Sequence, residues 1–182
     1  MIYLTSDLHL GHNKEFLYRP RGFSNINDMN LAIVATQQAM VRPEDDYYIL
    51  GDVTLGPLEE SEKYLRQLQG KVHVIRGNHD TDRRVEFYKS LGWDVHDALY
   101  LKYNKLHFYL SHYPTITSNI DQESIYQCLI NLYGHTHQQT NFFYEMPFCY
   151  HVGVDSHNSK PVSIDTIITD IKAKADECLS LL

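Results

Sequence analysis

Four short apolar runs, each ending in a knot of polar residues, constrain this chain more than any other feature. Ile2–Thr5 leads into Asp7-Leu8-His9, and Tyr47–Leu50 leads into Gly51-Asp52. Val72–Ile75 leads into Arg76-Gly77-Asn78-His79-Asp80, and His107–Leu110 leads into Ser111-His112. Runs this short, rich in β-branched and aromatic side chains, read as buried strands. Helical periodicity lies between them. Asn27–Met40 carries apolar Met29, Leu31, Ile33, Val34 and Met40, and Leu58–Leu68 stops at Gly70. A third helix is predicted over Arg83–Leu91, closed by Gly92. The alternation predicts an α/β sheet.

The second half reads differently. Asp94–Tyr103 and Leu106–Leu110, joined at Asn104-Lys105, predict a hairpin. Further strands are predicted over Leu129–Tyr133, Phe142–Tyr144 and Phe148–Val152. The tail, Ile164–Leu182, places Ile164, Ile167, Ile168, Ile171, Ala175 and Leu179 at helical spacing, with Ser163 as N-cap. The expectation is therefore βαβα, then mostly antiparallel strands and one closing helix. At 182 residues, without repeats or a Gly/Ser linker, residues 1–182 read as one domain.

Composition narrows the function classes. The net charge is −7, which argues against a protein that grips nucleic acid along a basic surface. Cys128, Cys149 and Cys178 stand far apart and form no CxxC pair, so buried thiols in a reducing compartment are expected. No window approaches the roughly 20 apolar residues of a membrane span. Met1–Asp7 has no basic, leader-like stretch, and a cytoplasmic location is expected.

The eleven histidines carry the chemistry. In open α/β sheets, ligands gather on the loops beyond the carboxyl ends of strands. Those loops hold Asp7, His9, Asp52, Asn78, His79, Asp80 and His112, and a later one holds Gly134-His135-Thr136-His137. Carboxylate, imidazole and carboxamide are the donors that divalent first-row metals take. In Asp7-x-His9 and His135-x-His137, alternate residues of an extended segment point the same way and can chelate one site. Gly51 and Gly77 allow the sharp turns that aim the following side chains.

In these residues the chain resembles the calcineurin-like metallophosphoesterases. Their signature runs D-x-H, G-D, G-N-H-D/E, a lone H, then G-H-x-H, and all five blocks occur here in order between Asp7 and His137. The resemblance implies a sandwich of two mixed β-sheets flanked by helices. It implies two divalent ions (Mn, Fe, Zn, Ni or Co) and hydrolysis of a phosphomonoester or phosphodiester by metal-bound hydroxide. Asp7, His9, Asp52 and His137 would hold the first metal. Asp52, Asn78, His112 and His135 would hold the second, with Asp52 bridging. His79 would act beside the phosphoryl group as general acid or transition-state donor, and Asp80 would orient it. A small phosphate ester is the expected partner, with no membrane partner. The alternatives are a nuclease, which the charge disfavours, and a silent metal-binding module, which the complete ligand set disfavours.

Other residues stay open at this point. His12 reads equally as a substrate contact or as loop packing, and Arg76 as a phosphate contact or, preferably, the partner of a carboxylate. Lys14, Arg19 and Arg21 are either a solvated loop or a basic lip. Asp155 and His157 are read as solvated loop, with the cleft rim as the alternative. Residues 113–132 are the expected lid.

Overall fold

The second strand shows how the chain builds its layers. Tyr47 and Ile49 pack in one buried cluster with Met29, Ile33, Val34, Tyr64, Leu65 and Tyr88, while Tyr48 and Leu50 pack in another with Phe108, Leu110, Ile130 and Leu132. Successive strand residues face opposite ways, so one sheet is sandwiched between helices and a second sheet.

The computed structural model describes residues 1–117 and 124–180. Its strands are β1 (Ile2–Thr5), β2 (Asp46–Ile49), β3 (Lys71–Ile75), β4 (Asp94–His96), β5 (Leu99–Tyr103), β6 (Leu106–Leu110), β7 (Leu129–Tyr133), β8 (Cys149–His151) and β9 (Val162–Ser163). Its helices are α1 (Glu15–Tyr18), α2 (Ile26–Met40), α3 (Leu58–Leu65), α4 (Asp82–Ser90) and α5 (Ile164–Ser180). The first sheet has the order β4-β3-β2-β1-β9 and the second β5-β6-β7-β8. Both are mixed, so the fold is the two-sheet α/β sandwich. β1 to β4 run parallel with β9 antiparallel at the edge, and β6 to β8 run parallel with β5 antiparallel.

Local chemistry sets the ends of the helices. The Asn25 side chain accepts the Asp28 N–H at 3.0 Å and caps α2. Ser163 Oγ accepts the Thr166 N–H at 3.1 Å ahead of α5, as its sequence predicts. The α5 stripe of Ile164, Ile167, Ile168 and Ile171 then closes over the inter-sheet core. Among the described residues, no helix is long and apolar enough to cross a membrane.

Three expectations are corrected. Asp94–Tyr103 is not one hairpin strand: the chain bends at Asp97, so β4 joins β3 in the first sheet and β5 opens the second. Both pieces alternate alike, and nothing local marks a change of sheet. The later strands are not mostly antiparallel, since β6–β7 and β7–β8 are parallel. Phe142–Tyr144 is not a strand: Phe143–Glu145 forms a 3₁₀ turn with Tyr144 at φ 45°, and Phe142 makes only an isolated bridge to Tyr150. The expected lid falls partly on residues 118–123, which lie outside the described residues.

Candidate metal centre

The parallel strands carry their carboxyl ends to one edge of the sandwich, where a bridge between Ser6 and Gly153 ties the sheets together. Loops after β1, β2, β3, β6 and β7 meet there. Five of the residues they present have left-handed backbone: Asp7 (φ 57°), His9 (48°), Asp52 (54°), His135 (70°) and His137 (50°). Each such non-glycine residue costs about 1–2 kcal/mol. Such strained residues cluster at functional sites, which makes these loops the candidate site.

Two glycines make the approach possible. Gly51 sits at φ 91°, and a Cβ there would run into the His112 ring. Gly77 has no left-handed φ; it is required because a Cβ would strike the Asp52 carboxylate. The turn expected at both positions holds for Gly51, and close approach explains Gly77.

The donor atoms converge. His9 Nε2 lies 3.1 Å from His137 Nε2, and Asn78 Oδ1 lies 2.9 Å from both His112 Nε2 and His135 Nδ1. Asp52 Oδ2 sits between them, 3.7 Å from His9 Nε2 and 3.6 Å from His112 Nε2. Two groups of three, Asp7–His9–His137 and Asp7–Asp52–His112, have ligand atoms within 4.8 Å of one another. Asp7 is fully buried, accepting from Ser6 Oγ at 2.6 Å and from the His135 N–H at 2.9 Å. Burial raises its carboxyl above the ordinary value, although the nearby His137 opposes this. Burial, reinforced by His137, pushes His9 down to about 2 and leaves its imidazole neutral, the form that binds metal. Lone pairs turned inward, neutral imidazole and buried carboxylate form a donor set that fits divalent cations.

The histidine at the end of the last block has a support that sequence reading misses. His137 Nδ1 lies 2.9 Å from Asp155 Oδ2, and Arg21 grips both Asp155 oxygens at 2.8 Å. Arg21 also donates to the Asp7 carbonyl at 2.9 Å. The side chains of Arg21 and Asp155 are 2% and 6% exposed, so neither belongs to a solvated loop. Burial alone would lower His137, but the Asp155 hydrogen bond and the Asp7 charge outweigh it and leave it above its ordinary value. Burial alone would raise Asp155; hydrogen bonds from His137 and Arg21 instead hold it well below the carboxylate range. Arg21 stands 134 positions from Asp155, and no spacing joins them.

The remaining residues separate. His79 donates its N–H to Asp52 Oδ1 at 2.9 Å and turns a 43% exposed ring toward the cleft, 5.6 Å from the His9 ring. Asp80 does not orient that ring. Its buried carboxylate accepts the N–H groups of Asp52 (2.8 Å) and Gly77 (2.9 Å) and the Tyr88 hydroxyl (2.9 Å), pinning two loops together. Arg76 turns away and pairs with Asp82 at 2.7 Å. His12 stacks edge-on with Phe16 and lines a cavity with His9, His79 and His137. The ring of Tyr113 flanks that of His135 at 4.6 Å.

Comparison with known proteins agrees with this geometry. The chain is 32% identical over 177 residues to an uncharacterized protein, MJ1445, of Methanocaldococcus jannaschii, covering 92% of this chain and 89% of that one. It is 29% identical over 202 residues to the gene 66 protein of Mycobacterium phage D29, covering 94% and 97%. The solved structure of AQ665, a protein of unknown function from Aquifex aeolicus, superposes with a TM-score of 0.72 at 24% identity, covering 93% and 98%. The profile of the calcineurin-like phosphoesterase superfamily domain matches residues 1–166, a span that takes in every loop described above, and the chain belongs to that superfamily.

Proposed function

We propose that the chain hydrolyses small phosphomonoesters or phosphodiesters at a centre of two divalent cations. The observation that carries this reading is the convergence of imidazole, carboxylate and carboxamide donors from five separate loops around the buried Asp52 carboxylate. Asp7, His9, Asp52 and His137 would hold one ion, and Asp52, Asn78, His112 and His135 the other. The central place of Asp52 Oδ2 between His9 and His112 supports its role as the bridge. When bound, such ions supply Lewis acidity toward phosphoryl oxygens and make water nucleophilic at neutral pH.

The chain's own residues do the rest. Asp155 holds His137 by one nitrogen, which leaves the other free to ligate. Asp80 fixes the Asp52 loop against the Gly77 loop, so two ligands move as one unit. Arg84, from α4, donates to the His79 carbonyl at 3.1 Å and steadies that loop from behind. His79 places its imidazole at the cleft, where it can give a proton to the departing ester oxygen. The net charge of −7 favours a small ester over a nucleic acid strand.

The test is reconstitution with Mn²⁺ or Zn²⁺, elemental analysis, and assay on p-nitrophenyl phosphate, bis-p-nitrophenyl phosphate and single-stranded DNA. Two metals per chain and cleavage of the small esters are expected. No more than one metal at saturation would remove the dinuclear assignment. Two metals with no cleavage of any substrate would leave a binding module.

A further inference from the structure

We propose that the substrate's leaving group is an uncharged, ring-bearing alcohol seated on Phe16, in the cavity between α1 and the His79 edge of the centre. This rests on the phosphoesterase reading and extends it to the half of the substrate that the metal ligands do not touch.

The cavity measures about 560 Å³, within the range of roughly 300–1,000 Å³ that small-molecule sites occupy. His12 and His79 line its polar side, and Phe16, Leu17, Pro20 and Leu55 its apolar side. His79 sets the direction. If it protonates the departing oxygen, the alcohol leaves on the side its ring faces, and that side is this cavity.

Phe16 is built as a platform. It is 73% exposed, whereas its neighbours Leu17 and Tyr18 are buried and anchor the helix turn that carries it. The His12 ring meets it edge-on at 5.7 Å and limits its freedom. An aromatic face held open beside the cleft is available to a stacked ring, the arrangement aromatic pairs favour.

Charge excludes the alternatives. Among the described residues, no lysine or arginine lines this cavity. The two guanidinium groups behind it are engaged: Arg21 by Asp155, and Arg84 by the carbonyls of Leu55, Gly56 and His79. Lys14 lies in solvent and does not line it. A second phosphate or a carboxylate on the leaving group would therefore find no lysine or arginine and would face Asp155.

The experiment compares ring and non-ring ligands in the Mn²⁺-loaded protein. Binding of phenylphosphonate, methylphosphonate and 4-phosphonobenzoate is measured by calorimetry in wild type and Phe16→Ala. Phenylphosphonate should bind about tenfold tighter than methylphosphonate. Phe16→Ala should remove most of that preference with unchanged metal content, and the carboxylated ring should bind more weakly than phenylphosphonate. Equal binding of the ring and methyl ligands overturns the subsite, as does a preference that survives in Phe16→Ala. Tighter binding of 4-phosphonobenzoate overturns the uncharged leaving group. In turnover, the ratio of kcat/KM for phenyl phosphate to that for methyl phosphate should fall in Phe16→Ala by a similar factor. Cleavage of neither ester, with the ring preference in binding intact, would remove the hydrolytic reading and leave the ring subsite standing.

Discussion

Asp155 joins His137 to Arg21, and the arrangement predicts that its loss acts on metal binding before chemistry. A carboxylate behind a ligating imidazole fixes its tautomer and orientation, and losing such a partner typically costs 10–100-fold in metal affinity. Asp155→Asn should lower affinity for one metal by about that factor while the variant stays folded by circular dichroism. An unchanged metal titration would mean that the pair serves only to hold the fold. His79 predicts the opposite pattern. His79→Gln should keep full metal content, while kcat falls by about 10²–10⁴ on esters with poor leaving groups and less on p-nitrophenyl phosphate. Equal losses on both ester types would point to charge stabilisation in place of proton donation. The seven candidate ligands and His79 were legible because five short blocks occur in order, each at the end of a strand. Asp155 and Arg21 were not, because a buried ion pair between distant loops leaves no periodicity or spacing in the chain.

At the scale of elements, the three central strands of the first sheet could be read, and the rest of both sheets only in part. β1, β2 and β3 are apolar runs separated by amphipathic helices, so their parallel pairing follows from local pattern and the crossover rule. β4 has three residues and β9 two, too short for a pattern to declare itself. The Asn104-Lys105 turn was readable, and both residues take left-handed backbone as a tight hairpin requires. The elements also decide where the site tolerates change. Gly51 joins β2 to the Asp52 loop at φ 91° with the His112 ring packed against it. Gly51→Ala adds left-handed strain and a clash, together at least about 2 kcal/mol, or roughly 4–8 °C in Tm for a chain of this size. The same change should also displace His112 and reduce metal content. A Gly51→Ala protein with wild-type Tm and full metal loading would show that the close packing there is not required.

For the whole molecule, metal and protons should act on stability together. A ligand that binds only the folded state stabilises it by about 4 kcal/mol at a thousandfold excess over its dissociation constant. The loaded protein should therefore melt roughly 8–16 °C above the chelator-treated one at pH 7.5. Acid acts by two routes. Metal is lost because its imidazole ligands must be unprotonated. A second route lies apart from the candidate ligands: His151 is fully buried, with Nδ1 against Ser156 Oγ at 2.8 Å, and burial pushes its value down to about 3. The unfolded chain takes up a proton on His151 near pH 6.5 and the folded chain does not. Its contribution is therefore present above pH 6.5 and is lost as pH falls, by at most about 1.4 kcal/mol per pH unit. The buried, neutral His9 acts in the same direction, whereas His137, raised by Asp155 and Asp7, acts in the opposite one. Between pH 7.5 and pH 5 the increment due to metal should shrink toward zero, while the chelator-treated protein still loses stability to urea. In His151→Gln, which cannot titrate, the pH slope of the chelator-treated protein should be shallower by up to that amount, whatever the variant's stability at pH 7.5. A slope identical to that of wild type would mean that His151 takes up its proton inside the folded core.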